Sequence, residues 1–296
     1  MLTAEPRKVA VQPVGLYEKA LPASWSWDKR LAMAAEAGYD FLEISIDESD
    51  ERLGRLGWPA AAKAELRRSI AAANVPILTM CLSGHRKYPL GSASPQVRTR
   101  AEELMRQAID FSAEVGVRIV QVAGYDVFYE ASDAGTAARF VDGLCRAAEV
   151  ASQAGVMLAL ENVDVPLSES LARCLAIVRQ VDSLWFQLYP DMANVAAAGY
   201  DPVTELALCK GHMVAIHVKD SLPRIIRRVP FGAGIVPFEP VFRTLAAMHY
   251  GGPLVVEMWA DSDGAVDPLA TVRTARRFVA DLVELTYPAP APANAG

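Results

Sequence analysis

The sequence predicts an α/β fold, a single (β/α)8 TIM barrel, on three observations. Eight short apolar segments alternate with helix-length segments, the pattern of repeated βαβ units. A weak internal repeat (AAEAGYDFLEIS, IAAANVPILTMCLS, SAEVGVRIVQVAG, ASQAGVMLALENV) runs each time from a helix through a small-residue corner into an apolar strand. Four strand-like segments in the C-terminal half end in a side chain able to bind a divalent metal: VMLALE in Glu161, WFQLYPD in Asp191, MVAIH in His217 and PLVVE in Glu257. Their spacings of 30, 26 and 40 residues each correspond to about one strand–helix repeat.

In chain order, strands are expected near 9–17, 39–46, 76–82, 118–123, 156–161, 184–190, 213–218 and 253–258. Helices are expected at 26–37, 60–73, 95–115, 135–154, 168–181, 203–210 and 238–249. Gly38, Gly116 and Gly155 stand where a helix end requires a left-handed residue. The strands that follow are apolar on both faces, as in a parallel sheet covered by helices. Eight such units imply closure, and right-handed crossovers place every strand C-terminus on one rim. An open doubly wound sheet is the alternative, but no GxGxxG follows the first strand and no Walker sequence occurs. The connection 47–60, DESDERLGRLGWPA, leaves the second strand on that rim as a lid or as an ordinary polar loop. One barrel domain is expected over 1–287, with PAPAPANAG at 288–296 as a disordered tail.

A chain of 296 residues suits one barrel, and 52% hydrophobic content fills its core. With 35 acidic against 29 basic residues the net charge is −6, which opposes nucleic-acid binding. An anionic metabolite remains compatible, because a few local Lys and Arg override the net charge. Cys81, Cys145, Cys174 and Cys209 lie far apart and form no CxxC, as expected of reduced thiols. The N-terminus lacks a signal-peptide core and no apolar run reaches a membrane span. A cytoplasmic protein with no membrane or nucleic-acid partner is expected, with a homodimer as a possible assembly through its barrel helices.

The four strand-end residues carry the chemistry. Side chains alternate along a strand, so Met157, Ala159 and Glu161 share a face, as do Met213, Ala215 and His217, and Pro253, Val255 and Glu257. With these faces inward, Val214, Ile216, Leu254 and Val256 meet the helices. A polar strand end is ordinarily a solvated loop start. Four at suitable ends, one of them among only four histidines, point instead to an assembled site. Three oxygen donors and one imidazole suit one divalent ion, Mn2+, Mg2+ or Zn2+, rather than a closed thiolate site. Elsewhere on the rim, His85 is expected either to meet a substrate hydroxyl or to make a structural hydrogen bond. Arg86 meets a phosphate or solvent, and Lys219 binds phosphate or pairs with a rim acid. Gly232 and Gly234 in PRIIRRVPFGAG offer amides to an anion or form a tight turn. Arg224, Arg227 and Arg228 are expected in solvent. Glu43, inside FLEIS, is an inner-face acid that orients its neighbours or a member of a structural network.

Long segments give the chain a resemblance to a known family: GLYEKALP at 15–22, DESDERLGRLGW at 47–58, MCLSGHRKYPLGS at 80–92, QVAGYDVFY at 121–129, WFQLYPDMAN at 185–194, HVKD at 217–220, VPFGAGIVPFE at 229–239 and VEMW at 256–259. It resembles the L-ribulose-5-phosphate 3-epimerases (also known as L-xylulose-5-phosphate 3-epimerases or hexulose-6-phosphate isomerases) of the xylose-isomerase-like barrel superfamily. The resemblance implies Glu161, Asp191, His217 and Glu257 as metal ligands, Glu161 and Glu257 as the acid–base pair, and a small sugar phosphate as substrate. ENVDVP at 161–166 departs from the family pattern between its Glu and its Pro.

The chemistry agrees. Epimerising a ketose at C3 removes a proton beside the C2 carbonyl and returns one to the opposite face. A divalent ion stabilises the resulting enediolate, and two carboxylates on opposite sides serve as base and acid. An aldose–ketose isomerase, or a 3-epimerase of an unphosphorylated sugar, is the alternative on the same barrel. A DNA-repair endonuclease of this fold requires a His-rich multinuclear site and a basic groove, which four histidines and a charge of −6 oppose. A barrel that only binds sugar is opposed by the presence of all four ligands.

Overall fold

The computed structural model describes residues 12–260 and 267–287. The tail after Tyr287 and positions 9–11 of the expected first strand lie outside them. Eight strands form the barrel wall: β1 Val14–Tyr17, β2 Phe41–Ile46, β3 Ile77–Leu82, β4 Ile119–Ala123, β5 Met157–Glu161, β6 Phe186–Leu188, β7 Ile216–Val218 and β8 Leu254–Val256. They pair in the order β6-β5-β4-β3-β2-β1-β8-β7, every pair parallel. The ring closes between the two ends of that order through parallel bridges of Leu188 with Met213 and Asp191 with His217. The Val214 amide donates to the Leu188 carbonyl (3.0 Å) and that of His217 to the Pro190 carbonyl (2.9 Å). Strands β6 and β8 are shorter than the sequence suggested; at one end of each, Pro190 and Pro253 have no amide proton to give to a ladder.

The helices are α1 Trp27–Glu36, α2 Asp50–Gly54, α3 Ala60–Ala73, α4 Pro95–Val115, α5 Thr136–Ala154, α6 Leu171–Val181, α7 Met192–Ala197, α8 Pro202–Leu208, α9 Phe238–Ala247 and α10 Pro268–Thr286. Ser26, Ser49, Ser94 and Ser170 cap α1, α2, α4 and α6, each side-chain oxygen accepting from the amide three residues on. At the other ends Gly116 (φ 99°) and Gly155 (φ 66°) take the left-handed conformation that lets the chain turn into β4 and β5. Among the described residues no helix is long and apolar enough to cross a membrane.

Parity sorts the core into two layers. Ala159, Ala215 and Val255 fill the barrel interior with Tyr17, Phe41, Cys81, Ile119 and Tyr189. Leu158, Leu160, Ile216, Val218, Leu254 and Val256 face the helices. Val214 differs from expectation: it packs against the interior, because regular β7 pairing begins only at Ile216. Within β1, a Cβ on Gly15 would overlap the Phe41 ring.

The connection after β2 is fastened rather than loose. Buried Glu18, just past β1, accepts from Arg30 (3.2 Å), from Arg55 (2.8 Å) and from Arg52, and also from the Ser45 amide (2.8 Å). Arg52 and Arg55 belong to this connection, so one buried carboxylate ties it to the barrel rim. Removing one member of such a network leaves buried charge uncompensated.

Candidate active site

The four strand-end residues meet. One ligand atom from each of Glu161, Asp191, His217 and Glu257 lies within 4.8 Å of all the others, and all four residues are buried. Imidazole Nδ1 of His217 is 2.7 Å from Glu161 Oε1, 3.7 Å from Glu257 Oε2 and 3.9 Å from Asp191 Oδ2. Its other nitrogen, Nε2, is 2.8 Å from Glu43 Oε1. Glu43 Oε2 accepts from Tyr189 (2.6 Å) and Thr79 (2.8 Å), so this acid is fixed from three sides. With the Nε2 proton donated to Glu43, the lone pair of Nδ1 faces the cluster, the orienting role that a carboxylate behind a metal-binding histidine performs.

Local structure aims each carboxylate. Asp191 is the N-cap of α7: Oδ1 accepts from the amides of Ala193 (2.8 Å) and Asn194 (2.9 Å), which turns Oδ2 toward the centre. Asn162 holds the Asp191 backbone at both its amide (2.8 Å) and its carbonyl (3.1 Å). The carboxamide of Gln121, on the inner face of β4, donates to Glu161 Oε2. Lys219 Nζ lies 2.6 Å from Glu257 Oε2 and 2.5 Å from Asp191 Oδ2.

These charges are out of water, and their acidities respond. Burial together with the charges of Glu257 and Glu161 pushes the Asp191 carboxyl up, against Lys219. Burial acts on Glu257 in the same sense, but Lys219 and His217 outweigh it and keep it ionised. Burial alone would make His217 a weaker base; Glu43, Glu257 and Glu161 raise it well above its ordinary value. The cluster therefore attracts positive charge strongly. Three carboxylates and an imidazole, buried and convergent on one point, fit a hard or borderline divalent cation.

Above the cluster opens a cavity of about 410 Å3. Glu161, Glu257 and Lys219 form its floor; Tyr17, Trp259, Cys81, Tyr125 and Asn194 are in its wall; Lys19, Arg86, Arg227 and Arg228 line it with the acids Asp47 and Glu48. Arg86 is stacked 4.9 Å over the Tyr125 ring and donates to its hydroxyl (3.1 Å). Lys19 is paired with Asp47 at 2.6 Å.

Three expected contacts fall elsewhere. His85 is buried beneath α4 with Nε2 3.3 Å from the Ala101 carbonyl, and it is not among the cavity-lining residues. The strand end carries its ring into the packing rather than the mouth, so the structural hydrogen bond is the alternative realised. Gly232 and Gly234 also lie outside the lining: their amides already donate to Asp220 Oδ2, 2.9 Å each. The anion these amides receive is the chain's own carboxylate. Arg227 and Arg228 are exposed, as expected, and their positions also line the cavity. Tyr17, Trp259 and Gln121 were not singled out from sequence, although Gln121 is the one polar residue in the strand IVQVA and its parity marks it as inward.

Burial lowers the His85 pKa to about 4. The unfolded chain protonates this histidine near its ordinary value of about 6.5. Between those values the unfolded state binds more protons, so stability is complete above pH 6.5 and declines as pH falls toward 4. The loss approaches about 3 kcal/mol. Urea unfolding at pH 7 and pH 4.5 is expected to show it, and His85→Gln should flatten that slope; an unchanged slope assigns the loss to other groups.

Fold and site together define a (β/α)8-barrel enzyme whose C-terminal strand ends bring together a buried group able to hold a metal ion. The chain belongs to the xylose isomerase-like TIM barrel family, whose model matches residues 31–282, and within it to the L-ribulose-5-phosphate 3-epimerases. It is 46% identical over 267 residues to L-ribulose-5-phosphate 3-epimerase UlaE of Salmonella heidelberg (strain SL476), covering 90% of this chain and 93% of that protein. The same figures hold for the UlaE protein of Escherichia coli (strain K12 / DH10B). Among solved structures, an L-ribulose 3-epimerase superposes with a TM-score of 0.77 at 23% identity, over 93% of this chain and 95% of that one. D-Psicose 3-epimerase from Clostridium cellulolyticum H10 gives 0.80 at 19% identity, over 92% and 99%. At those identities the superpositions speak for the fold.

Proposed function

We propose that this chain interconverts L-ribulose 5-phosphate and L-xylulose 5-phosphate by moving the proton on C3, with one divalent ion held by Glu161, Asp191, His217 and Glu257. The observation that carries this is the convergence of those four side chains in a chain 46% identical to curated 3-epimerases of that substrate. When bound, the ion would supply positive charge beside the reacting ketose, which makes its C3 proton more acidic.

The protein's own groups do the rest. Glu161 and Glu257 come from β5 and β8 and reach the cavity floor from different sides. One takes the C3 proton from its face while the other returns a proton to the opposite face, and the roles exchange in the reverse direction. Lys219 keeps Glu257 ionised and so able to accept. Gln121 donates to Glu161 Oε2, which limits the orientation of that carboxylate. Tyr17 and Trp259, edge to face at 6.2 Å, present apolar surface beside the pair and exclude water from the exchanging proton. Lys19, Arg86, Arg227 and Arg228 supply the positive charge toward which the phosphate is directed.

Incubation of the Mn2+-loaded protein with L-ribulose 5-phosphate in D2O should yield the C3 epimer with deuterium at C3, read by NMR. Faster turnover of the free ketopentose than of its phosphate defeats the phosphate assignment; formation of an aldose in place of the epimer defeats the 3-epimerase assignment.

A further inference from the structure

Asn162 follows Glu161 at the end of β5, inside the segment ENVDVP that departs from the family pattern, and it is fully buried. By strand alternation it continues the row of Leu158 and Leu160, which face the helices. A carboxamide buried in an apolar row is costly unless its donor and its acceptor are both paired. Both are, and with the same residue. Oδ1 accepts from the Asp191 amide (2.8 Å), and Nδ2 donates to the Asp191 carbonyl (3.1 Å). Two residues facing each other in a sheet ladder exchange bonds in this manner.

The barrel wall needs such a substitute at this point. Regular pairing of β5 with β6 ends at Leu160 and Leu188. The Tyr189 amide still reaches the Leu160 carbonyl (2.9 Å), but Pro190 has no amide with which to continue. On the opposite flank only isolated bridges join β6 to β7, one of them between Asp191 and His217. Asp191 therefore stands on the seam that closes the barrel, with Asn162 on one side and His217 on the other. Asn194 completes the corner, its Nδ2 donating to the Asn162 carbonyl (2.9 Å). The Asp191 carbonyl also accepts from the Val195 amide (3.3 Å) at the start of α7.

The Asp191 side chain inherits this placement. Its Oδ1 is taken up by the amides of Ala193 and Asn194, so the direction of Oδ2 follows the backbone at φ −111° and ψ 110°. Oδ2 lies 3.9 Å from His217 Nδ1 across the seam. We propose that Asn162 is a positioning residue for the metal centre: its carboxamide stands in for a ladder pair beyond β6, fixes the Asp191 backbone at the seam, and so sets the spacing between Asp191 Oδ2 and the His217 imidazole. This rests on the reading of Glu161, Asp191, His217 and Glu257 as ligands of one divalent ion.

The test compares Asn162→Leu, which keeps the shape and removes both bonds, with wild type. Calorimetry measures Mn2+ affinity, and visible absorption of the Co2+-loaded protein reports ligand geometry. Kd for Mn2+ should rise about 10- to 100-fold, the range for residues that orient metal ligands, and the Co2+ bands should shift. A lower melting temperature of the metal-free protein with unchanged Kd and unchanged bands marks a merely structural role and overturns the proposal. A wild type that binds no Mn2+ refutes the ligand reading, and the proposal with it. Should Asn162→Leu fail to fold, Asn162→Gln, whose carboxamide is displaced by one methylene, must weaken Mn2+ binding in the same sense; an unchanged Kd there overturns the assignment.

Discussion

Glu257→Gln and Glu161→Gln are each expected to lower epimerisation about 10²- to 10⁴-fold, the range of a positioned acid or base. Gln keeps the shape and one oxygen of each side chain but cannot accept or release the C3 proton. The two-sided arrangement adds a sharper outcome. With Glu257 replaced, Glu161 still faces one side of C3, so one epimer should exchange its C3 proton with solvent without being converted. Glu161→Gln should give the complementary pattern with the other epimer. NMR of each pure epimer in D2O reads exchange and conversion separately. Since both residues also belong to the metal cluster, bound ion per chain must be measured for each variant at saturating Mn2+. Conversion within about 10-fold of wild type at full metal occupancy removes that residue from the acid–base pair.

The second large effect concerns the ion. Prolonged chelation is expected to abolish turnover and lower the melting temperature, with both restored by one equivalent of divalent metal per chain. At an ion concentration about 1,000 times its Kd, binding to the folded state alone contributes about 4 kcal/mol. The physical source is the buried negative excess of Glu161, Asp191 and Glu257 around His217. Glu43→Gln tests the geometry behind the imidazole. Glu43 accepts from His217, Tyr189 and Thr79 at once, and a carboxamide must turn its NH2 group toward at least one of these donors. Metal affinity by calorimetry should fall about 10- to 100-fold, as for other carboxylates behind metal-binding histidines. An unchanged Kd shows that the Tyr189 and Thr79 bonds alone hold the site.

Much of this was legible in the chain because barrels are locally periodic. The corner glycines Gly116 and Gly155 each stand at a left-handed helix end, as the repeat indicates. Alternation along VMLALE and PLVVE places Ala159 and Val255 in the interior and Glu161 and Glu257 above them. The short helices α2 and α7 were not legible. Each depends on its N-cap, Ser49 or Asp191, and is too short to show a helical period. His85 shows the limit from the other side: a strand-end residue can turn into the packing under a helix, and no pattern in HRKYPLG distinguishes that from facing the mouth.

The sequence by itself determined the barrel, the inward parity of its strands and the four side chains able to gather a cation, since all follow from a period of two within strands and one repeat between them. Tertiary structure alone decided what stands behind and beside those side chains. Glu43 meets His217 across 174 positions, and Asp220 reaches past 12 and 14 residues to the amides of Gly232 and Gly234. Those contacts depend on barrel closure and on the path of one loop, which local periodicity does not encode. For the same reason the sequence did not show that the exposed Arg227 and Arg228 line the cavity, or that Gly232 and Gly234, read as an anion site or a tight turn, give their amides to Asp220.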